Sequence, residues 1–455
     1  MKYKRKWPAL ILVLALTVFV SACGGASGSS ESTSGSNEST SGSSESTSGS
    51  GESTSEPSNE TVELTLWSDW MKDDPYTEQY YARMEQFKAE HPNIKINMEV
   101  IPYNEYNLKL QTQAAGGQLP DVMQLIIGGT FLEPLARAGL LMPIDDMIGE
   151  WKDTKIPEGL LKEFAVDGKQ YAIPAEVNYS SMVFYNKKLL ADLGYTEFPK
   201  TYSELLALIK AANDNKITPI ILGNKTGTVL PATYLSVITD RIAGSGFIEQ
   251  VLAKEKKLTD PEFISALNII KELADNNAFN KDANNIDAAA ATDRFVNGQA
   301  LMYIDGSWVI KPIIANKASG FEFGMAVFPS IEGGKGDPMS LPAATYQGLG
   351  INAKLDDKKK EAAKTFVKFM YGDELFTSLL EGGALVSANV EVPGNLDPDF
   401  QAQVELTQRL TGISTVFGNV MPKDVGTAVN NSLQGLILGS VTPDKVAEDA
   451  QKLLR

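Results

Sequence analysis

Past residue 60 the apolar positions fall into two alternating rhythms. VELTLW, residues 62–67, reads as a buried first strand. Tyr76, Tyr80, Met84 and Phe87 then recur at helical spacing, as one face of an amphipathic helix. IKINMEV places Ile94, Ile96, Met98 and Val100 on one side of a second strand. In LKLQTQAAGGQLPDVMQLI a helix ends at Gly116 and Gly117, Pro120 keeps it from resuming, and a strand follows. This β-α-β-α-β order predicts an open α/β sheet. Such sheets bind ligands in the crevice at the carboxyl ends of their strands, so the loops after Trp67 and Leu125 are candidates for a site. Asp121 reads as structural, capping the loop beneath. Farther on, Thr201 and Glu204 form a T-x-x-E capping box, with Leu205, Leu208 and Ile209 facing inward. Ala362, Ala363, Phe366, Val367 and Met370 mark another buried helix face. Thr442 and Pro443 open a last helix, with Val446, Ala450 and Leu453 expected inward.

The first 60 residues follow another logic. Lys2, Lys4, Arg5 and Lys6 precede an apolar run from Ala9 to Val20, shorter than the roughly 20 residues a spanning helix needs. Charge, short apolar stretch and the small residues Ser21 and Ala22 read as a signal peptide over residues 1–22. The stretch ending at Cys23 resembles a bacterial lipobox, in which the cysteine becomes the new N-terminus and carries lipid. Two acyl chains on that thiol give stable membrane attachment. Four heptads beginning at Glu31, Glu38, Glu45 and Glu52 follow (ESTSGSN, ESTSGSS, ESTSGSG, ESTSEPS). No apolar residue occupies any position of them, so the segment is expected to be a disordered tether over residues 23–60. Its reach is on the order of 30–35 Å.

Composition removes many chemistries. Roughly 395 residues remain after the tether, enough for two domains. The net charge of −16 argues against nucleic acid, whose binders carry basic stripes. The chain has one cysteine and one histidine. With Cys23 used as an anchor, no disulfide, thiolate or His-based metal site and no Ser–His–Asp or Cys–His system can be assembled. His91, before Pro92, reads as a helix C-terminal residue. Carboxylate-only chemistry, as in glycoside hydrolysis, stays open. GLGIN and GGKGDP lack phosphate-loop spacing.

Five segments in order resemble the carbohydrate-binding group of the family 1 extracellular solute-binding proteins, which serve ABC importers. They are AAGGQLPDVMQL, YAIPAEVNYSSMVFYNKKLLADLGY, FPKTYSEL, RFVNGQALMYIDGSW and GLGIN…KKKEAAKTFVKFMYGDE. The resemblance implies a two-lobed α/β fold of the periplasmic-binding-protein type (type II-like), with a sugar held in the cleft between lobes. Expected boundaries are residues 61–173 plus 346–385 for the first lobe and 174–345 plus 386–455 for the second, with hinges near Pro174, Thr345 and Gly383.

A sugar needs flat aromatic surface for its C–H faces, and carboxylates and amides for its hydroxyl rim. By resemblance, the loop carrying Trp67, Asp69 and Trp70 touches ligand, and Trp308, near Asp305, stacks on it. Glu176, Asn178 and Tyr179 lie at the first expected crossing, Tyr346 and Gln347 at the second, and Phe417 and Asn419 near a third. Asn224 from the second lobe, and Gln124 with the Gly128–Gly129 turn, complete the candidates. The expected function is oligosaccharide binding and delivery to permease subunits by cleft closure. The chain is expected to act as a lipid-anchored monomer on the outer face of the membrane, without cofactor, metal or nucleic acid, and without catalysis. A secreted glycoside hydrolase and a binding protein for a non-sugar solute are the alternatives.

Overall fold

The computed structural model describes residues 61–454, apart from residues 73–75, 128–131 and 150–155. The expected signal peptide, Cys23, the tether and the Gly128–Gly129 turn lie outside the described residues.

The chain builds two main sheets. In the first, β1 (Val62–Ser68) lies between β2 (Ile94–Val100) and β3 (Val122–Ile126), both parallel to it. Leu64 and Leu66 of β1 alternate inward. Helices Thr77–Glu90 and Asp357–Met370 cover that face, and Ala362, Ala363, Phe366, Val367 and Met370 are all buried as the spacing predicts. Asp121 anchors this layer. It accepts from the Thr65 N–H (2.8 Å), the Thr65 hydroxyl (3.0 Å) and Lys359 Nζ (2.9 Å).

A small hairpin, β4 (Ala165–Val166) and β5 (Lys169–Gln170), follows. Next comes β6 (Val177–Tyr179), then the second main sheet. Its strands are β7 (Met182–Asn186), β8 (Thr218–Ile221), β9 (Ala300–Asp305) and β10 (Phe323–Ala326), in the spatial order β10-β7-β9-β8. Helices wrap it around a second core containing Leu205, Leu208 and Ile209. The capping box at Thr201 and Glu204 is formed in full.

β11 (Ser340–Thr345) pairs with β6 and with β13 (Gly412–Thr415) in a three-stranded sheet. One residue later the chain enters β12 (Gln347–Ile351), which joins the first main sheet antiparallel to β3. Thus β6, β11 and the Tyr346 link are the places where the chain passes between the two main sheets. A further segment runs beside them: Glu176 bridges to Val386, and the Val177 N–H donates to Leu385 O (3.0 Å).

Two local expectations change. The first helix starts at Thr77, and Tyr76 sits just outside it with φ 69°. Leu453, the last residue of its helix, is exposed, while Val446 and Ala450 are buried as expected. His91 caps its helix as expected, its N–H donating to Phe87 O (2.8 Å) and its ring stacked on Phe87.

Candidate functional site

A cavity of about 480 Å³ opens among the first sheet's loops, the crossing segments and the Ile310–Asn316 helix. Seven of the expected residues line it: Asp69, Trp70, Glu176, Asn178, Trp308, Tyr346 and Gln347.

One wall is aromatic and fixed. Trp70, only 3% exposed, stacks on Tyr80 with centroids 4.5 Å apart and an 18° angle. The Trp70 indole N–H donates to Gln347 Oε1 (2.8 Å), and the Tyr80 hydroxyl donates to Glu176 Oε2 (2.8 Å). Asp69 is held by Gln124. The Asp69 N–H donates to Gln124 Oε1 (2.8 Å), and Gln124 Nε2 donates back to Asp69 Oδ1 (2.7 Å). This reciprocal pair arises because β1 and β3 are neighbours, so the end of one strand faces the middle of the other.

The cavity is also lined by Trp308, 46% exposed, on the turn after β9. Its ring lies over Gly306, where a Cβ would approach Trp308 Cη2 to 2.2 Å. Only glycine lets the indole settle there. Beneath, Asp305 accepts from the Tyr303 hydroxyl (2.8 Å) and the Gly306 N–H (2.7 Å). Lys311 stands on the same side, its Nζ 4.3 Å from the Tyr76 ring centroid. Tyr76 in turn donates to Gly383 O (3.1 Å).

The remaining expected residues lie elsewhere. Trp67 is half-buried on the other side of β1, with Lys109 Nζ 4.4 Å from its ring. Gln124 is buried and acts through Asp69. Tyr179 points the other way from Asn178, because successive strand residues alternate, and lines a separate groove. Asn224 is buried within its own lobe, donating to Asn284 (3.0 Å) and accepting from the Leu230 N–H (3.3 Å). Asp305 is buried under the Gly306 turn rather than lining the cavity. Phe417 is a core residue stacked on Phe263 at 5.9 Å, and Asn419 is exposed on the same short helix, Phe417–Val420. The segment that runs beside Glu176 and Val177 is the one around Gly383 to Ser387, with the Ser387 N–H donating to Ala175 O (2.9 Å).

Sequence reasoning missed Tyr76, Tyr80, Ser307, Lys311 and Gln403 as lining residues. Tyr80 was readable only as a core position. Its ring does fill the core, and its hydroxyl reaches the cavity edge. Gln403, fully buried, donates to Ser307 O (3.2 Å) from a helix nearly 100 residues downstream.

Three carboxyls around the cavity and crossings are pushed up, in each case chiefly by burial: Glu176 and Glu163 to about 7 and Asp305 to about 6. Glu163 accepts from the Thr345 N–H (2.6 Å) and hydroxyl at the second crossing. Their hydrogen bonds pull down without cancelling burial. In the unfolded chain these groups return to ordinary carboxylate values, so between about pH 5 and 7 the folded state holds more protons. Stability therefore falls as pH rises through this window. The expected loss is of order 1–3 kcal/mol per fully buried group, less for the half-buried Glu163. Denaturant titrations at pH 5 and pH 8 check this, and Glu176→Gln is expected to flatten part of the difference.

Among the described residues no cluster of three or more His, Cys, Asp or Glu could hold a metal ion, and no helix is long and apolar enough to cross a membrane. The fold is that of a two-lobed α/β protein, with the cavity beside the segments that run between its two main sheets. The chain belongs to the bacterial extracellular solute-binding protein family, whose model matches residues 71–375. It is similar to a diacetylchitobiose binding protein of Streptomyces coelicolor, 26% identical over 423 residues, 90% of this chain and 88% of that protein. It also resembles a multiple sugar-binding protein of Streptococcus mutans, 27% identical over 63% of this chain and 66% of that protein. A solved chitin oligosaccharide binding protein superposes with a TM-score of 0.72 at 28% identity, covering 87% of this chain and 98% of that one.

Proposed function

We propose that this chain binds an oligosaccharide in the 480 Å³ cavity and delivers it to the permease subunits of an ABC importer. The carrying observation is the pairing of walls. A fixed Trp70–Tyr80 stack and a half-exposed Trp308 line one cavity together with Asp69, Glu176, Asn178 and Gln347. Flat rings suit sugar C–H faces, and the carboxylates and amides suit hydroxyls. Relatives whose names record diacetylchitobiose, multiple sugars and chitin oligosaccharide support a carbohydrate ligand.

In this reading the lobes comprise residues 61–173 plus 346–385 and residues 174–345 plus 386–455, and they rotate about Pro174, Thr345 and Gly383. Ligand touches both lobes only when the cleft is closed. Moving from one part closed in a hundred to ninety-nine requires about 5.5 kcal/mol of preference for the closed state. The protein acts as a monomer held at the outer face of the membrane through lipid on Cys23, and it breaks no bond.

A thermal-shift panel of chito-, malto- and xylo-oligosaccharides and short peptides tests this. One sugar class should raise Tm, by about 2.7 kcal/mol of added stability at a hundredfold excess over Kd. The bound sugar should yield no new reducing ends on prolonged incubation. Peptide-only stabilisation would point to a different solute, and new reducing ends to a glycoside hydrolase.

A further inference from the structure

The Trp70–Tyr80 wall is not held by packing alone. Both rings end in a polar atom, and both atoms are tied to residues of the crossing segments. The Trp70 indole N–H reaches Gln347 Oε1 at 2.8 Å, and the Tyr80 hydroxyl reaches Glu176 Oε2 at 2.8 Å. Gln347 Nε2 then faces both Glu176 oxygens, at 3.4 and 3.3 Å. The circuit closes on itself: ring on ring, indole to amide, amide to carboxyl, carboxyl to phenol. Glu176 precedes β6 and Gln347 opens β12, so the circuit joins two separate passages between the lobes. The Tyr346 N–H, donating to Glu176 O (3.3 Å), ties those passages together.

Glu176 is 5% exposed, and among the described residues no ammonium or guanidinium pairs with it. Its side-chain donors are neutral, and both of its oxygens accept. This arrangement suits an ionised carboxylate. A proton on Oε1 faces the Gln347 N–H, which cannot accept it, and a proton on Oε2 is met only if the Tyr80 hydroxyl turns from donor to acceptor, so either way the circuit must rearrange.

We propose that Glu176 is a positioning residue: its ionised carboxylate holds the Trp70–Tyr80 wall in the ligand-ready orientation, so that affinity falls when the carboxyl takes up a proton. The sugar arm of this proposal rests on the function proposed above.

The groups facing Glu176 are few. Tyr80 comes from the first helix and Tyr76 from its start, Asp69 from the loop after β1, and Tyr371 from the end of the Asp357–Met370 helix. Lys311 lines the same cavity, its Nζ 4.3 Å from the Tyr76 ring centroid. Burial lifts the Glu176 carboxyl to about 7 against the pull of its hydrogen bonds, with the Asp69 charge adding to the lift. The three tyrosines are pushed upward, chiefly by burial, and stay neutral below pH 8. The switch therefore falls near neutrality. Affinity should be level on the alkaline side and fall by at most tenfold per pH unit on the acid side.

A ligand-free measurement decides the wall claim. The emission of Trp70, taken as the difference between wild type and Trp70→Phe, is followed from about pH 5.5 to 8.5. We expect a one-proton transition near neutrality that is lost in Glu176→Gln and kept in Glu163→Gln. Tyr80→Phe, which removes a donor to the ionised form while keeping the ring, should move the midpoint upward, and it serves where Glu176→Gln fails to fold. A transition unchanged in Glu176→Gln and in Tyr80→Phe, or no transition in wild type, overturns the proposal. The second arm is calorimetry with diacetylchitobiose at pH 6 and pH 8. Binding should be about three- to tenfold tighter at pH 8 in wild type, with no difference in Glu176→Gln. Equal affinity at both pH values in wild type overturns the link to binding. Absence of binding at either pH counts against this sugar, while the emission arm still decides the wall.

Discussion

Trp308→Ala is expected to weaken oligosaccharide binding by roughly 1–3 kcal/mol, a five- to 150-fold loss, and to leave the fold unchanged. The reason lies in the asymmetry of the two walls. Trp70 is already stacked on Tyr80 and tied to Gln347, so much of its surface is spent on the protein. Trp308 leaves nearly half of its surface uncovered, its ring resting on the Gly306 backbone. Truncating it removes one donor from the buried Asp305 carboxyl and much of the open surface available to a ligand. Titration calorimetry with the sugar found in the panel, beside a denaturation curve, separates the two effects. Unchanged affinity would show that the ring is no platform.

The largest effect on stability is expected from Arg241→Met, about 3–5 kcal/mol in denaturant titration. Arg241 is 1% exposed and spends its guanidinium entirely on fixed acceptors. Nη1 donates to Asp240 Oδ2 (2.7 Å) and Ser340 Oγ (3.0 Å), and Nη2 to the carbonyls of Ser340 (2.8 Å), Phe328 (3.1 Å) and Pro338 (3.2 Å). These acceptors fasten the start of β11, the strand that runs into the second crossing. Methionine fills similar volume but abandons the buried Asp240 charge, whose Oδ1 already lacks a partner. That stranded carboxylate carries most of the cost. Pairing the change with Asp240→Leu should recover a large part of it, because neither charge then remains buried. Failure of the double variant to recover would assign the loss to the Ser340, Phe328 and Pro338 contacts instead.

Local patterning made much of the fold legible. The capping box at Thr201, the five inward residues of the Asp357–Met370 helix and the cap at His91 each depend on neighbours within a few positions, and sequence spacing records such neighbours directly. Among the site candidates, those next to a strand end or crossing, Asp69, Trp70, Glu176 and Gln347, line the cavity. What failed depended on partners far along the chain. Asn224 looked free to serve a ligand, yet its amide is used by Asn284 and by the Leu230 N–H. Phe417 looked like a hinge aromatic, yet Phe263, more than 150 residues earlier, claims its face. Tyr179 and Asn178 adjoin in sequence but face opposite sides of β6, which spacing alone could not orient toward the cavity. Tyr80 shows the converse: helical spacing assigns it to the core, and nothing in the spacing tells where its hydroxyl ends.

The most direct test of the account is a crystal structure of the protein grown with the oligosaccharide that raises its Tm. The account predicts a sugar ring between the Trp70–Tyr80 wall and Trp308, with hydroxyls within hydrogen-bond distance of Asp69 or Asn178 and the lobes drawn together. A ligand seated elsewhere, with this cavity filled by solvent and the lobes unmoved, would contradict it.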